Sequence, residues 1–178
     1  MRNDIVIRQA SAEDITSVGM LYDSVNSYFE KTVNYCYPNW QKGKYPVLAD
    51  AENAFAEQTL YIMKMDGIVL GAVIIDCNQH PEYKKIPWSV QASDEQVMTI
   101  HTLVMHPDYR NQGLGEKMVH FAMDHCKEAG AVTIRLDTHY RNIPARRLYE
   151  KCGFRSLGKV EAYVDDVIQE FDVFEYTF

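Results

Sequence analysis

The sequence lacks the hydrophobic segments that target or anchor a protein in a membrane. Its N-terminus, MRNDIVIRQA, alternates polar and apolar residues without the apolar core of a signal peptide, and no later run approaches the roughly 18 apolar residues of a membrane span. Apolar residues make up 47% of the chain and charged residues 24%, which is the balance of a globular protein rather than a disordered one. We therefore expect a cytoplasmic protein with no membrane partner.

Cysteine is also scarce, and no two cysteines are spaced to bind a metal. The four cysteines are separated by 41, 49 and 26 positions, which leaves no Cys-x-x-Cys pair for zinc or redox chemistry. They are Cys36, Cys77, Cys126 and Cys152. The sequence therefore predicts buried free thiols in a reducing compartment and no metal site.

Basic residues are outnumbered, which argues against nucleic acid as a partner. The formal net charge is −7, whereas nucleic-acid binding depends on many cationic contacts to phosphate. The charge is uneven, because residues 110–151 hold 8 Lys or Arg against 5 Asp or Glu, and the remainder holds 10 against 20. This distribution favours a compact polyanion docked on the basic segment and a cationic molecule attracted elsewhere.

Apolar periodicity predicts one mixed α/β domain over residues 1–178. The predicted order is strand, helix, helix, hairpin, strand, helix, strand, helix, strand, strand. Asp66 and Gly67 indicate a two-residue hairpin turn, since glycine supplies a positive φ. The strand VMTIHTLVM is nearly continuous in apolar residues, so we expect it at the centre of the sheet. Residues 78–96 form a polar and aromatic loop whose length is typical of functional or mobile segments.

Two glycines stand one residue apart in YRNQGLGEKM, residues 109–118, where a helix is predicted to begin. The chain contains no P-loop string. Met118 occupies the third position of a Gly-x-Gly-x-x-Gly dinucleotide fingerprint, where its side chain would obstruct helix packing. The remaining alternative is a turn that leaves backbone N–H groups bare at a helix N-terminus, with Arg110 beside them. Such a turn can bind a pyrophosphate, and the alternative is a glycine-rich helix start that binds nothing.

A second motif lies one helix and one strand further along the chain. RNQGLG and NIPARRLYEKCGF resemble two motifs of the GNAT superfamily of N-acetyltransferases: the acyl-CoA motif Arg/Gln-x-x-Gly-x-Gly/Ala, and the downstream Asn, Ala, Tyr and Gly-Phe signature. The specific resemblance covers residues 97–157. It implies a single acyl-CoA N-acyltransferase domain, with a mixed, mostly antiparallel sheet of about seven strands, a parallel splayed pair and about four flanking helices.

The resemblance implies that acetyl-CoA is the cosubstrate. The pantetheine arm would enter between the splayed strands and pair with the edge of the first, and the pyrophosphate would sit on backbone N–H groups of the glycine turn. The implied contacts are Leu103, Val104 and Met105 on the strand edge, Arg110, Asn111, Gln112, Gly113, Leu114 and Gly115 at the turn, and Asn142 on the next helix. Asn142 is equally well explained as a plain N-cap.

The resemblance also assigns Tyr149 as the tyrosine that gives a proton to the departing CoA thiolate, with a core aromatic as the alternative. The acceptor amine must lose a proton before it attacks. His101 lies where arylalkylamine acetyltransferases of the superfamily carry a histidine, and imidazole suits proton transfer at neutral pH. A core histidine is the alternative, and Glu95 or a water chain is the competing base. Alternation puts His101, Leu103 and Met105 on one strand face unless a bulge intervenes.

Direct attack through a tetrahedral intermediate is expected, with the backbone N–H of Met105 as the implied oxyanion donor. An acyl-carrying role for Cys152 is less favoured than packing, because it stands beside a helix-ending glycine and no histidine partner is evident.

The acceptor is expected to be a primary amine of a small molecule. Substrate choice in the superfamily is made largely by the first helices and variable loops, and the acidic excess outside the CoA segment favours a cation. The aromatic residues that could wall its pocket are Tyr35, Tyr37, Trp40, Tyr45, Tyr83 and Trp88. The C-terminal strand FDVFEYTF could serve as the edge of a homodimer. The alternative functions are a non-catalytic acyl-CoA-binding regulatory or sensor module and a nucleotide-binding protein.

Overall fold

The computed structural model describes residues 4–32, 40–164 and 167–178, and its elements follow the predicted order. The strands are β1 Val6–Gln9, β2 Leu60–Met65, β3 Ile68–Asp76, β4 Val97–Met105, β5 Thr133–His139, β6 Arg155–Val164 and β7 Val167–Thr177. The α-helices are α1 Ile15–Thr32, α2 Leu48–Ala56, α3 Leu114–Glu128 and α4 Ile143–Lys151.

Among the described residues, seven strands form one sheet in the order β1-β2-β3-β4-β5-β7-β6, and the only parallel neighbours are β4 and β5. The helices α1 and α2 bury residues such as Val18, Tyr22 and Ala54 on one face of the sheet. The helices α3 and α4 bury Met118 and Tyr149 on the other. The predicted mixed, mostly antiparallel sheet with one parallel pair is therefore confirmed. No helix in these ranges is both long and apolar enough to cross a membrane.

The C-terminal strand β7 lies inside the sheet. It pairs with β5 through residues such as Phe171 and Phe174, and with β6 through residues such as Ile168 and Val173. Because both sides of β7 are occupied, the prediction that FDVFEYTF could form a dimer edge is wrong. The edge strand on this side of the sheet is β6.

Residues 78–96 pack against strands β5, β6 and β7. Arg135 of β5 donates from Nη1 to Oε1 of Gln79 at 2.7 Å and from Nη2 to the carbonyl oxygen of Val90 at 2.9 Å. Its guanidinium carbon also lies 4.3 Å from the ring centroid of Trp88. Tyr83 is 2% exposed and is buried in a cluster with residues of β6 and β7. This long loop is therefore bound to the sheet by a buried cation.

Candidate active site

The parallel strands β4 and β5 separate partway along their length. Their pairing ends at Thr99 and Arg135, whereas β4 continues to Met105 and β5 to His139. The carboxyl halves of the two strands therefore border a gap, and the residues predicted to act on acyl-CoA lie around it.

A bulge at Thr102 interrupts β4 beside this gap. The register between β3 and β4 gains one residue on β4 between His101 and Val104, and Thr102 has a φ of +46°, an uncommon angle for a β-branched residue. The extra residue puts His101 and Val104 on the face covered by α1 and α2, whereas Leu103 and Met105 pack with the cluster of α3. The sequence placed His101, Leu103 and Met105 on one face unless a bulge intervened, and because of the bulge at Thr102 they do not share a face.

His101 is paired with an acidic residue of β3. Its Nε2 lies 3.1 Å from Oδ1 of Asp76 and 3.1 Å from the carbonyl oxygen of Asn78. Burial lowers the pKa of the imidazole, but the hydrogen bond and charge of Asp76, together with the charge of Asp137 and the hydrogen bond to Asn78, outweigh burial and raise the pKa above its ordinary value. Because both partners accept a hydrogen from Nε2, the ring nitrogen left to take up a proton is Nδ1.

Tyr149 is buried in α4 at 6% exposure. Its ring centroid lies 5.9 Å from that of Phe154 and 5.8 Å from that of Phe174. Burial, and then the charge of Asp137, raise the pKa of Tyr149 far above its ordinary value. The hydroxyl therefore keeps its proton at neutral pH, as a proton donor must.

A cavity of about 440 Å³ lies in the gap and is lined by both His101 and Tyr149. Its volume falls within the roughly 300–1,000 Å³ of small-molecule pockets. Other lining residues are Trp40, Tyr45, Asp137, Asn142, Val164, Gln169 and Phe171. The structure thus brings the predicted base and the predicted acid into one space. In the part of the chain that the structure describes, no group of three or more His, Cys, Asp or Glu residues is placed to hold a metal ion.

A smaller, mostly apolar cavity of about 180 Å³ follows the edge of β4. Its lining includes Leu103, Val104, Met105, Arg110, Asn142 and Leu148. The guanidinium carbon of Arg110 lies 4.6 Å from the ring centroid of Tyr28. Five of the ten predicted CoA contacts therefore line this cavity, and residues 111–115 of the glycine turn are the five that do not.

The glycine turn opens α3. Asn111 and Gly113 both have left-handed φ angles, +60° and +73°, and α3 begins at Leu114. The first N–H groups of the helix have no partner inside it, and the helix dipole places partial positive charge there. At Gly115 a Cβ would come within 3.3 Å of Cδ2 of Leu148, so this glycine also lets α3 approach α4.

Asn142 caps α4 and also lines both cavities. Its side-chain oxygen accepts from the N–H of Ala145 at 3.4 Å, and its Nδ2 donates to Oγ1 of Thr138 at 3.0 Å. The N-cap interpretation is confirmed, and its contact with CoA stays a prediction.

Other candidates lie away from this space. Glu95 is exposed in a 3-10 turn before β4, and Cys152 is buried at the end of α4, as packing predicts. Cys77 is exposed, so the prediction of buried thiols is wrong for this residue, and Cys36 falls outside the described residues.

The six aromatic residues predicted to wall the acceptor pocket fall into three pairs. Trp40 and Tyr45 line the larger cavity. Tyr83 and Trp88 belong to a separate hydrophobic cluster, and Tyr35 and Tyr37 fall outside the described residues.

Two acidic residues of the site, Asp76 and Asp137, were not predicted. Alternation along AVTIRLDT places Ile134 and Leu136 on one face of β5, which leaves Arg135 and Asp137 on the opposite face. This pattern was the signal in the sequence that could have pointed to Asp137. Charged side chains are rarely buried without a partner, so two of them on one face of an interior strand indicate a special site.

Three features together are typical of acyl-CoA-dependent N-acyltransferases. They are the separation of the parallel strands β4 and β5, the glycine turn before α3, and the cavity that both His101 and Tyr149 line. Residues 20–154 match the Acetyltransferase (GNAT) family, and the chain belongs to this family. An uncharacterized N-acetyltransferase of Methanocaldococcus jannaschii is 23% identical over 158 residues, which make up 89% of this chain and 64% of that protein. The streptothricin acetyltransferase of Escherichia coli is 33% identical over 76 residues, 43% of this chain and 40% of that protein. The chain thus spans less than two thirds of either relative.

Solved structures share the fold over nearly the whole chain. A GNAT-family acetyltransferase of Streptococcus agalactiae superposes with a TM-score of 0.81 at 20% identity, covering 98% of this chain and 95% of that one. The yncA protein of Salmonella typhimurium, solved with its cofactor acetyl-CoA, gives 0.70 at 14% identity, over 98% and 94%. The ribosomal-protein-S18-alanine N-acetyltransferase of Escherichia coli gives 0.68 at 15% identity, over 98% and 94%.

Proposed function

We propose that the protein is an N-acetyltransferase that moves an acetyl group from acetyl-CoA to a primary amine of a small molecule. The observation that carries this proposal is the cavity that both His101 and Tyr149 line, at the point where β4 and β5 separate. A proton acceptor and a proton donor on one space meet the needs of amine acylation, in which the amine loses a proton and the leaving thiolate gains one.

The residues present fit acetyl-CoA, which supplies the activated acetyl thioester. The exposed turn at Gly113 offers the N-terminus of α3 to a pyrophosphate, and Arg110 adds a fixed positive charge. The apolar cavity along Leu103, Val104 and Met105 suits the uncharged pantetheine arm, because most of its lining is apolar. It lies next to the larger cavity, since both are lined by Leu103.

The catalytic roles follow from the protonation states of the two side chains. His101 takes one proton from the acceptor nitrogen, which frees its lone pair to bond to the acetyl carbon, and Tyr149 donates its proton to the sulfur as the carbon–sulfur bond breaks. The second proton that the nitrogen loses on becoming an amide replaces the one given by Tyr149, so one proton remains on His101. Of the two bases that the sequence suggests, His101 is favoured because Glu95 does not line this cavity.

A small acceptor is favoured by the form of the larger cavity. Its walls come from several parts of the chain, including Trp40, Asp137 and Phe171, and such a space suits a compact molecule better than an extended chain. The names of the similar proteins include both kinds of acceptor, the antibiotic streptothricin and the alanine of a ribosomal protein.

The direct test is calorimetric titration with acetyl-CoA, NAD and ATP, followed by thiol release with four acceptors. We would use 2-phenylethylamine, spermidine, glucosamine and a peptide that begins with alanine. We expect acetyl-CoA alone to bind and a small amine to be acetylated fastest. Acetyl-CoA binding without turnover on any acceptor would favour the sensor module, fastest turnover of the peptide would favour a protein acceptor, and no binding of acetyl-CoA would refute the proposal.

Removing the Tyr149 hydroxyl tests the proton donor. We expect Tyr149→Phe to lower kcat by about 10- to 100-fold, at the lower end of general acid catalysis, because a thiolate leaves fairly well unaided. The phenyl ring keeps the packing on Phe154 and Phe174. Tyr163→Phe, at a 71% exposed tyrosine of β6, is the matched control. An unchanged rate in Tyr149→Phe would mean that this residue acts only in packing.

Removing the charge beside His101 should shift the pH profile. The base form exists only above the pKa of His101, which Asp76 raises, so the acidic limb of kcat/KM should lie above pH 6.5. We expect Asp76→Asn to move this limb to lower pH, because the largest influence that opposes burial is then lost and only the charge of Asp137 and the hydrogen bond to Asn78 remain. The exposed Asp124→Asn is the control and should keep the wild-type profile. If the acidic limb of kcat/KM lies at the same pH in Asp76→Asn and Asp124→Asn, His101 is not the titrating base.

A further inference from the structure

Asp137 occupies a central place in the larger cavity. It lies on β5, two residues past Arg135, where pairing with β4 ends. It lines the cavity together with His101 and Tyr149. Tyr45 lines the same cavity, and the charge of Asp137 raises the pKa of all three groups.

The Asp137 carboxylate has a hydroxyl partner but no strong cation. The Tyr83 hydroxyl donates to its Oδ2 at 2.8 Å. In the described ranges of the chain, no lysine or arginine forms an ion pair with it, and the cationic groups that act on it are His101 and His80. The pKa of Asp137 is raised overall, because burial outweighs the Tyr83 hydrogen bond and the charge of His101, which lower it. A largely enclosed carboxylate without a counter-ion is costly, and a cationic ligand would remove that cost.

We propose that Asp137 binds the ammonium group of the acceptor in the cavity beside His101. This rests on the proposed function and narrows it, since the substrates would be primary amines that are cationic in solution. The Tyr83 hydroxyl holds Oδ2, which leaves Oδ1 to receive a hydrogen bond from the ammonium. Asp137 thereby places the nitrogen within reach of the base, and His101 takes the proton that must be lost.

Tyr83 belongs to residues 78–96, a segment whose contacts with the sheet keep the Asp137 carboxylate in place. Tyr83 is enclosed at 2% exposure, and Nε1 of Trp88 donates to its carbonyl oxygen at 2.8 Å. Arg135, two residues before Asp137, binds the same segment through Gln79 and Val90. Tyr83 is therefore a positioning residue, which acts on the acceptor only through Asp137.

The experiment compares Asp137→Asn with Asp124→Asn, an exposed change of the same chemistry. Two nearly isosteric acceptors are used: 2-phenylethylamine, which is cationic at neutral pH, and O-benzylhydroxylamine, whose nitrogen is uncharged there. The other three amines of the panel are measured as well. We expect Asp137→Asn to raise KM for every charged amine that the wild type acetylates by about 30-fold or more, the range for loss of one partner of a buried charge pair. The fall in kcat should be smaller than tenfold, and KM for O-benzylhydroxylamine and the affinity for acetyl-CoA should not change.

Tyr83→Phe is the second variant and keeps the aromatic packing. It should raise the same KM values by a smaller factor and leave kcat within twofold. Unchanged KM in Asp137→Asn, or equal losses for the charged and uncharged acceptors, would overturn this inference and leave the proposed function intact. If Asp137→Asn loses both its kcat and the acidic limb of its pH profile, Asp137 is itself the base, and this outcome would also overturn the inference. If the wild type acetylates no amine at all, the proposed function fails first.

Discussion

Replacing His101 by glutamine is expected to lower kcat for amine acetylation by about 100- to 10,000-fold, the usual contribution of a positioned general base. Glutamine can still hydrogen-bond to Asp76 but cannot accept the amine proton. The acidic limb that His101 sets in the pH profile should disappear with the imidazole, because the glutamine side chain does not titrate. Initial rates at saturating acetyl-CoA and amine, measured across pH, check both effects.

Glu95→Gln is the matched control for this change. Glu95 is the other base that the sequence suggests, and it is exposed before the start of β4. We expect Glu95→Gln to keep the wild-type rate and pH profile, and both variants to bind acetyl-CoA with wild-type affinity. A large loss in Glu95→Gln with little change in His101→Gln would assign the base to Glu95. A small loss in both would favour a water chain.

Replacing Arg135 by methionine is expected to lower the free energy of unfolding by about 3–5 kcal/mol, the range for breaking a buried ion pair. The Nε of Arg135 lies 3.5 Å from Oε1 of Glu175, and the two side chains are 7% and 1% exposed. Oε2 of Glu175 also accepts from the N–H of Ser89 at 2.8 Å. The variant therefore leaves a buried carboxylate without its cation and releases residues 78–96 from β5. For a chain of this size the melting temperature should fall by roughly 6–20 °C.

Arg155→Met at the start of β6 is the control, since Arg155 is exposed and such changes cost within about 0.5 kcal/mol. The double variant Arg135→Met with Glu175→Met should regain part of the stability, because no charge is then left buried. Hydrogen exchange should report faster exchange in residues 78–96 of the single variant. Equal unfolding free energies for Arg135→Met and Arg155→Met would show that the ion pair adds no stability.

Local patterns in the sequence were sufficient to predict the order of the helices and strands and to find the two motifs. The Asp66–Gly67 turn has φ angles of +49° and +82°, as a two-residue hairpin requires, and such a turn depends only on its own residues. Helix α3 begins one residue after Gly113 for the same local reason. The two motifs that suggested an acyl-CoA site are short strings of neighbouring residues, one at the start of α3 and one on α4. The family follows from these features, and its match is confirmed.

The strand order at the sheet edge depended on the tertiary structure. A sequence shows that FDVFEYTF is a strand but not which strands lie on its two sides, because each pairing joins residues distant in the chain. The insertion of β7 between β5 and β6 is such a case, and it removed the predicted dimer edge.

The character of the acceptor site was likewise decided only in three dimensions. Alternation on β4 was broken at Thr102, whose left-handed backbone no residue pattern reveals, and this moved His101 to the face of Asp76. Asp137 meets Tyr83 across 54 positions of sequence. By itself the sequence determined the elements, the family and the place of the acyl-CoA motifs, because these depend on neighbouring residues. The tertiary structure decided which charges face the acceptor, because that depends on contacts between residues far apart in the chain.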